Sequence, residues 1–535
     1  MTERSRNSLW QIAFGDYDFA LDRRTLTYNL TETRSGTVWS DGLSVGWLEL
    51  ENRENGERTR HSFADMKLVS LSEKSGQQGK RILLGLDCQG IPVDLYFICS
   101  QKEIQLTVEA NRDSRTHRVH EICLLPGLVS VPDDSVSYLV LPHYDGAVLH
   151  AADTPRHELD FPLWSIESNV KMPFVGAVRN RTYNEPISAL ALITDSAYGA
   201  FHLSRQDDRS ASVKTRYKRD PERRRLDIRL VVLPEQNYVG VARAYRNKII
   251  TDRNHITLRQ KMREKPQIEK LLGSAFIVDQ SAPCNSLVPL IHVRHYKQTP
   301  ADAICLAQLD EGISAPGEER ESLWDVMENQ LQILEESGSN GVPVGAEFSG
   351  DWSALACDFW LDTVGPSSKG LFRASIPLAA VIYHDSVVMP LSVESPNLSA
   401  HVFLSALVRL ATLSFIKGCE ASEGHMTTLG HLHKLSFAAF LSEHRFLTPN
   451  FTVEEARYTN GAYILINQSE TETFENERVT LPPLGFYVEH PQMIAHDALR
   501  VGEERFASRA FRVRRSQDGK PLTESADVLW QEFPV

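Results

Sequence analysis

The pattern of hydrophobic and polar positions predicts that the first part of the chain is rich in β-strands. Up to about residue 233, short runs of β-branched and aromatic residues alternate with Asn, Gly, Asp and Pro. This spacing is typical of a large antiparallel sandwich. The runs that predict strands include Gly36–Trp39, Arg81–Leu84, Val93–Ile98, Ile104–Val108, Tyr138–Leu141 and Leu226–Val232.

The pattern changes after Tyr238. Residues 239–272 carry helix formers and lack the Gly and Ser enrichment of a flexible linker, so they predict a helical connector. From about residue 275 to residue 440, apolar runs alternate with amphipathic segments, and this alternation favours parallel strand pairing. The predicted strands are Ala275–Val278, Leu290–Val293, Ala303–Leu306, Val342–Ala346 and Ala379–Tyr383. The predicted helices are Glu319–Glu336, Leu398–Phe415 and Thr427–Leu441.

Length and pattern together predict several domains. A chain of 535 residues is too long for one hydrophobic core, since single cores stop growing at roughly 250–300 residues. After Leu447 the chain returns to short strands. We therefore predict a multidomain α/β plus β protein: a β-sandwich over 1–235, the connector over 236–272, a (β/α) barrel-like domain over 273–443 and a small β-sandwich over 444–535.

Composition narrows the classes of function. The formal net charge of -13 disfavours nucleic acid and anionic membranes as partners, because both require a basic surface. No apolar run reaches the length of a signal peptide or the ~20 residues of a membrane span. The seven cysteines are scattered and form no CxxC pair, which favours a reducing compartment, the cytoplasm. No P-loop or dinucleotide fingerprint is present, so no cofactor is expected.

Acidic residues follow several of the predicted strands. Asp310, Glu347 and the pair His384–Asp385 each come after an apolar run. In a parallel barrel these positions share one face, where two carboxylates can flank a glycosidic bond. Trp352 could supply apolar surroundings or a platform for a sugar ring. The alternative is that the carboxylates are helix caps or turn residues and that the aromatic residue belongs to the core.

Three histidines offer a weaker alternative chemistry. His431 and His433 lie two residues apart, and His425 is nearby. No carboxylate or cysteine completes a convincing set of metal ligands, so structural histidines are the favoured interpretation and no metal is expected.

Several strings, in their order along the chain, resemble bacterial glycoside hydrolases related to the endo-α-N-acetylgalactosaminidase clan. The strings are Tyr138–Gly146, Tyr238–Arg246, Gly345–Trp352, Val381–Asp385, His444–Pro449 and Leu481–Phe486. The resemblance implies a mutarotase-like β-supersandwich, a catalytic (β/α)₈ barrel and a C-terminal β-domain.

The resemblance also implies a retaining mechanism with an Asp nucleophile and a Glu acid/base. Glu347 matches the acid/base string, and Asp310, one βα unit upstream, is the best candidate for the nucleophile. By the same comparison Tyr383 and Asp385 would face the substrate. Their positions in the sequence make His384 and Trp352 the other candidates for substrate contact. Residues 275–440 are fewer than the roughly 200 that a full barrel needs, and about five strands are predicted instead of eight, so we expect an incomplete barrel.

The leading hypothesis is a glycoside hydrolase-like protein that hydrolyses a small α-linked glycoside with retention. The alternative is a catalytically inactive relative with a degenerate barrel, which binds carbohydrate or acts as a scaffold. The expected partner is a small carbohydrate or glycoside, with no nucleic acid and no membrane, and a homo-oligomer is compatible with the sequence.

Overall fold

The chain divides into two units, which are described separately. The first comprises residues 1–245, 312–326 and 367–375, and the second comprises residues 246–311, 327–366 and 376–535. The computed structural model describes residues 8–76, 79–110, 112–163, 170, 172–196, 198–206, 210–218, 225–278, 290–294, 301–306, 323–339, 341–347, 350–361, 372–393, 395, 397–416 and 421–534.

The first unit is built almost entirely of β-strands, which confirms the predicted β character of this part. Its strands are β1 (Leu9–Phe14), β2 (Tyr17–Asp22), β3 (Thr27–Glu32), β4 (Val38–Ser44), β5 (Gly46–Asn52), β6 (Arg58–Ser62), β7 (Lys67–Gly76), β8 (Gly79–Cys88), β9 (Ile91–Cys99), β10 (Ile104–Ala110), β11 (His117–Pro132), β12 (Tyr138–Leu141), β13 (Ala147–His150), β14 (Leu159–Pro162), β15 (Phe174–Thr182), β16 (Glu185–Thr194), β17 (Gly199–Gln206), β18 (Ser210–Lys218) and β19 (Arg225–Pro234).

Three antiparallel sheets make up this unit. A four-stranded sheet runs β1-β2-β3-β4, a six-stranded sheet runs β14-β17-β18-β11-β5-β6, and the largest sheet extends from β13 and β12 through β15, β16, β19, β10, β9 and β8 to β7. Buried and half-buried positions alternate along β9, because successive side chains point to opposite faces. On one of these faces Phe97 packs against Phe19, with ring centroids 5.9 Å apart.

The remaining strands and the helices follow in chain order. The strands are β20 (Ala275–Val278), β21 (Leu290–Arg294), β22 (Ala301–Leu306), β23 (Val344–Glu347), β24 (Phe359–Leu361), β25 (Ala374–Ser375), β26 (Leu391–Val393) and β27 (Leu413–Ile416). The helices are α1 (Tyr238–Thr251), α2 (Leu258–Glu264), α3 (Leu323–Gly338), α4 (Leu378–Tyr383), α5 (Ala400–Arg409) and α6 (Glu423–Ser436). None of the helices described combines the length and apolar character that a membrane-spanning segment needs.

A seven-stranded sheet forms the centre of the second unit, in the order β24-β23-β22-β21-β20-β27-β26. Neighbouring strands are parallel except at β21, which runs antiparallel to both β20 and β22. A parallel bridge joins Phe359 of β24 to Val388, shortly before β26. The N–H of Trp360 also donates to the Val388 carbonyl oxygen at 2.9 Å. Because the segment that holds β26 pairs with both ends of the sheet, backbone pairing runs around a closed ring.

This ring differs from the (β/α)₈ barrel that the resemblance implies, and a TIM barrel is not supported. The sheet contains seven strands, one of them antiparallel, and the described chain is mostly β. The segment Ala379–Tyr383, predicted as a strand, belongs to helix α4, which follows Pro377. A short, wholly apolar run fits a buried helix as well as a buried strand, so the prediction of a strand here is wrong.

The helix predicted over residues 398–415 is correct only for its first part. Helix α5 ends at Arg409 because Leu410 adopts a left-handed conformation with φ of 50°, and strand β27 follows. The helix predicted over 319–336 is confirmed as α3 from Leu323 onward.

The second unit ends in a mainly antiparallel β-sheet, as the return to short strands predicts. Its strands are β28 (Leu441–Phe446), β29 (Val453–Tyr458), β30 (Tyr463–Asn467), β31 (Phe474–Glu475), β32 (Val479–Leu481), β33 (Phe486–His490), β34 (Met493–Val501), β35 (Glu504–Ser516) and β36 (Val528–Phe533). Val453, Leu465, Leu481 and Ala498 pack together in a core cluster of this sheet. The finer division of the chain into four segments stays a prediction.

Candidate active site

Glu347 lies at the rim of the ring, where the parallel strands end. It is the last residue of β23 and is in register with Leu361 on β24, while Gly345 is in register with Phe359. Since side chains alternate between the two faces of a strand, all four residues face the same side.

Phe359 and Leu361 share a buried apolar cluster with residues of strands β20 and β22. On the opposite face of β24, Trp360 packs against Tyr383 of helix α4. The face that carries Glu347 is therefore the inner side of the ring. Glu347 is half-buried, which leaves part of its side chain open to solvent.

The apolar cluster forms the floor beneath this rim. Strands of the ring contribute Phe276, Ala303, Cys305, Phe359 and Leu361, and the helical connector contributes Leu258, Ile268, Leu271 and Leu272. A Cβ atom at Gly345 would lie 2.4 Å from the aromatic ring of Phe359. Only glycine at this position therefore lets the Phe359 side chain fill the interior. Among the described residues the inside of the ring is therefore packed, and the rim is the candidate position for a ligand.

The connection from β23 to β24 carries Trp352. Its described part runs from residue 350 to residue 358 and forms a short 3₁₀ turn over Asp351–Ser353. The buried Trp360 donates from its indole nitrogen to Ser353 Oγ at 3.0 Å, and Ser353 Oγ donates to the Gly350 carbonyl oxygen at 2.9 Å. These bonds fix the turn that holds the half-buried Trp352.

Charged groups at the other end of β23 and β24 have a structural role. The buried Lys261 ammonium donates to the carbonyl oxygen of Ala354 at 2.7 Å and also to that of Cys357. Asp358 pairs with Lys265 at 3.3 Å and accepts the first backbone N–H of β23 at 2.9 Å. Burial lowers the pKa of Lys261 to about 8, although Asp358 acts in the opposite direction. Burial also raises the pKa of the Cys357 thiol to about 12, which keeps it protonated and unreactive.

Tyr383 and His384 lie in the interior of the second unit. The Tyr383 ring meets Trp360 edge-on, with centroids 5.0 Å apart. His384 Nδ1 lies 2.7 Å from the Ala439 carbonyl oxygen, and its Nε2 lies 3.3 Å from that of Leu410. Burial lowers the pKa of His384, so the ring is neutral at physiological pH.

Asp385 forms a buried ion pair. Its two carboxylate oxygens accept hydrogen bonds from Arg246 at 2.9 and 2.8 Å, and His255 Nε2 lies 3.2 Å from Oδ1. The guanidinium of Arg246 also lies 4.5 Å from the centroid of the Phe440 ring. Burial alone would raise the pKa of Asp385, but the hydrogen bonds from His255 and Arg246 outweigh it and lower the pKa to about 2.

Residues 383–385 do not follow a strand, which was the basis for expecting them beside the catalytic carboxylates. Tyr383 is the last residue of helix α4, His384 and Asp385 follow it, and all three residues are buried. Their role in substrate binding stays a prediction. Sequence reasoning missed Arg246 and His255, because the sequence around Asp385 does not indicate which distant cation pairs with it.

Asp310 lies outside the described residues, so its role as the nucleophile stays a prediction. Of the predicted catalytic pair, the structure therefore places Glu347 alone.

The histidines near residue 430 have separate partners. His433 Nδ1 accepts the Gly273 N–H at 2.9 Å, and His431 Nδ1 lies 3.4 Å from Arg515 Nη1. His425 packs between aromatic rings. Burial lowers the pKa of His433 to about 3. This arrangement agrees with structural roles for these side chains.

A second group of possible metal ligands, which no sequence motif indicates, lies in the first unit. Glu158, Asp160 and His202 place one ligand atom each within 4.8 Å of one another. His202 Nδ1 is hydrogen-bonded to Asp160, and Arg216 pairs with Glu158 at 3.1 Å. The alternation along β14 and its pairing with β17 bring these side chains together. Since protein cations already pair with this group, we interpret it as a hydrogen-bonded network.

The fold of this chain is similar to that of solved glycoside hydrolase structures, although its sequence is not similar to a known family. No family model matches the chain, and no curated protein is similar to it in sequence. The solved structure of α-N-acetylgalactosaminidase NagBb from Bifidobacterium bifidum in complex with GalNAc is 12% identical, with a TM-score of 0.65 over 86% of this chain and 98% of that chain. A glycoside hydrolase family 97 enzyme from Pseudoalteromonas sp. strain K8 is 7% identical, with a TM-score of 0.40 over 98% of this chain and 96% of that chain.

The likeness to NagBb covers most of both chains, and at this identity it concerns the fold alone. It agrees with the resemblance to glycoside hydrolases that the ordered strings indicate. The chain therefore has a glycoside hydrolase-like fold.

Proposed function

We propose that this protein is a glycosidase that hydrolyses a small α-linked glycoside with retention of configuration. The observation that carries the proposal is the position of Glu347, whose half-buried carboxylate lies at the rim of the ring above a packed apolar floor. The ends of parallel strands are where such folds present catalytic groups, since several strands can direct side chains at one bound molecule.

In this proposal Glu347 is the general acid/base. Glycoside hydrolysis requires one carboxyl group that protonates the leaving oxygen and a second that attacks the sugar or activates water. The fixed turn after β23 would hold Trp352 beside the same rim, where its indole could stack on a sugar ring.

Asp310 is the proposed nucleophile. It follows β22, which pairs in parallel with β23, so the two carboxylates would extend from neighbouring strands. A retaining enzyme needs its two carboxyl groups about 5–5.5 Å apart, whereas an inverting enzyme separates them by about 6.5–9.5 Å.

The first substrate to test is an α-N-acetylgalactosaminide, because the similar structure NagBb is named an α-N-acetylgalactosaminidase. A panel of 4-nitrophenyl α-glycosides that contains this sugar would be assayed with the full chain and with Glu347→Gln. The matched control is Glu335→Gln, which alters an exposed carboxylate of helix α3 in the same way.

The expected result is hydrolysis of at least one α-glycoside, with kcat/KM lowered by about 10²–10⁴-fold in Glu347→Gln and unchanged in Glu335→Gln. Equal activity in all three proteins would refute the role of Glu347. If no glycoside of the panel is hydrolysed, the proposed activity fails for these substrates.

The second candidate is a carbohydrate-binding relative without catalysis. The observation that favours it is the burial of Tyr383 and Asp385, which the resemblance assigns to substrate contact. Calorimetry with N-acetylgalactosamine separates the candidates, because binding without turnover of any glycoside in the panel would support this one.

A further inference from the structure

An exposed tryptophan stands out on the C-terminal sheet. Trp530 lies on β36, which pairs with β35 alone among the described strands. Its exposed fraction is 58%, and it is aromatic, whereas the other strongly exposed large hydrophobic residues of the described chain are aliphatic. An exposed indole offers a flat apolar face together with one hydrogen-bond donor, which suits a ligand that is both apolar and polar.

The neighbour of Trp530 across the strands is an arginine. Arg514 is directly opposite in register, and its guanidinium carbon lies 5.0 Å from the centroid of the Trp530 ring. No carboxylate pairs with Arg514 in the part of the chain that the structure describes, and its buried Nε lacks a hydrogen-bond partner there. The next arginine on this face, Arg512, pairs with Glu504 at 3.0 Å and with Glu532 at 3.3 Å. Among the described residues, Arg514 is therefore a cation of this face without a carboxylate partner.

A third residue extends this row to β34. Ile494 on β34 is in register with Arg514, and it is half-buried against the core of the sheet. Glu489 on β33 is next along the row, and its carboxylate pairs with Arg478 at 3.3 Å. Register partners share a face and lie about 4.8 Å apart from strand to strand. We call Ile494, Arg514 and Trp530 the platform row. It presents an aliphatic group, a guanidinium and an indole in one line.

We propose that the platform row binds a pyranose ring that carries a carboxylate, such as a uronic acid unit of an oligosaccharide. The C–H face of a pyranose is apolar and matches the open face of Trp530. A guanidinium binds a carboxylate through two parallel hydrogen bonds, and no carboxylate of the described residues would have to be displaced from Arg514. This site goes beyond the proposed glycosidase activity and does not depend on it, because neither Glu347 nor Asp310 takes part.

The experiment uses the full chain and measures binding of an oligogalacturonate by calorimetry, with a neutral galacto-oligosaccharide of the same length as the comparison ligand. The variants are Trp530→Ala and Arg514→Gln. Arg445→Gln serves as the matched control, since it removes an arginine from the same sheet that is paired with Glu455 at 3.0 Å. Thermal unfolding of each variant is measured in parallel.

Oligogalacturonate is expected to bind the unaltered chain more tightly than the neutral ligand. Trp530→Ala should weaken the binding of both ligands by about tenfold or more, whereas Arg514→Gln should abolish the preference for the acid. Arg445→Gln should bind as the unaltered chain does, and Glu347→Gln should retain the site even if the proposed catalysis fails.

Three results would overturn the proposal. The first is that neither oligosaccharide binds the folded chain. The second is that binding persists unchanged in both Trp530→Ala and Arg514→Gln. The third is that the chain forms a dimer that Trp530→Ala dissociates, which would assign this edge of the sheet to a second copy instead of a sugar.

Discussion

Replacement of Asp385 by Asn tests whether this residue holds the second unit together or binds substrate. The side chain is buried and accepts two hydrogen bonds from Arg246, with His255 beside it. Asparagine keeps the shape but removes the negative charge. Arg246 would then be a buried cation without its ion-pair partner.

Two lines of reasoning give similar magnitudes for the free energy of unfolding that Asp385→Asn would lose. Removal of one partner from a buried ion pair destabilises a protein by about 3–5 kcal/mol. A fall in the pKa of Asp385 from the ordinary 3.8 to about 2 is equivalent to about 2.5 kcal/mol in favour of the folded state. We therefore expect Asp385→Asn to lower the free energy of unfolding by about 3 kcal/mol near neutral pH.

The pH dependence has a definite sign. Because the pKa of Asp385 is lower in the folded state, its contribution is fully present above about pH 4 and is lost as the pH falls towards 2. The difference in stability between the unaltered chain and Asp385→Asn should therefore shrink below pH 4.

The assay is urea unfolding followed by tryptophan fluorescence, at neutral pH and at low pH, together with substrate kinetics. The matched control is Glu443→Gln, which breaks an exposed pair with Arg457 at 3.5 Å and should change stability by less than about 1 kcal/mol. If Asp385→Asn is as stable as this control and only KM rises, the structural interpretation is refuted and Asp385 contacts substrate.

Three further predictions concern residues that pack on or beside strands β23 and β24. Lys261→Met removes a buried amine whose pKa is about 8, below the ordinary 10.5, so the charged form of this amine is less stable in the folded chain than in the unfolded chain. As the pH rises from about 8 to 10.5, the free energy of unfolding of the unaltered chain should therefore increase by about 3 kcal/mol relative to the variant. Urea unfolding at several pH values measures this difference. Gly345→Ala should lower the unfolding free energy by about 1–3 kcal/mol, because its methyl group would collide with Phe359, and an unchanged denaturation midpoint would contradict this packing. Trp360→Phe should lower the unfolding free energy by at least about 1 kcal/mol through loss of the bond to Ser353, and protease digestion should cut the turn at 351–353 faster than in the unaltered chain.

The sequence predicts the strands of this protein well where the local signal is strong. The runs at Tyr138–Leu141 and Ala275–Val278 are strands with the predicted bounds, because β-branched and aromatic residues fit a pleated surface. The segment Ala379–Tyr383 shows the limit, since a short apolar run carries no periodicity that separates helix from strand.

The candidate site could be predicted only in part. The position of Glu347 follows from one strong strand and its parallel neighbour. The pairing of Asp385 with Arg246 joins positions far apart in the chain, and the closed ring depends on a single bridge between Phe359 and Val388. Such long-range contacts are fixed by tertiary packing, and a single sequence does not specify them.

The most direct test of the central claim is the separation of the carboxyl carbons of Asp310 and Glu347 in a crystal structure with a bound α-glycoside. The proposal predicts about 5–5.5 Å, with both groups directed at the same glycosidic bond. A separation beyond about 9.5 Å, or a Glu347 carboxylate that does not face the sugar, would contradict the assignment of these two residues as the catalytic pair of a glycosidase.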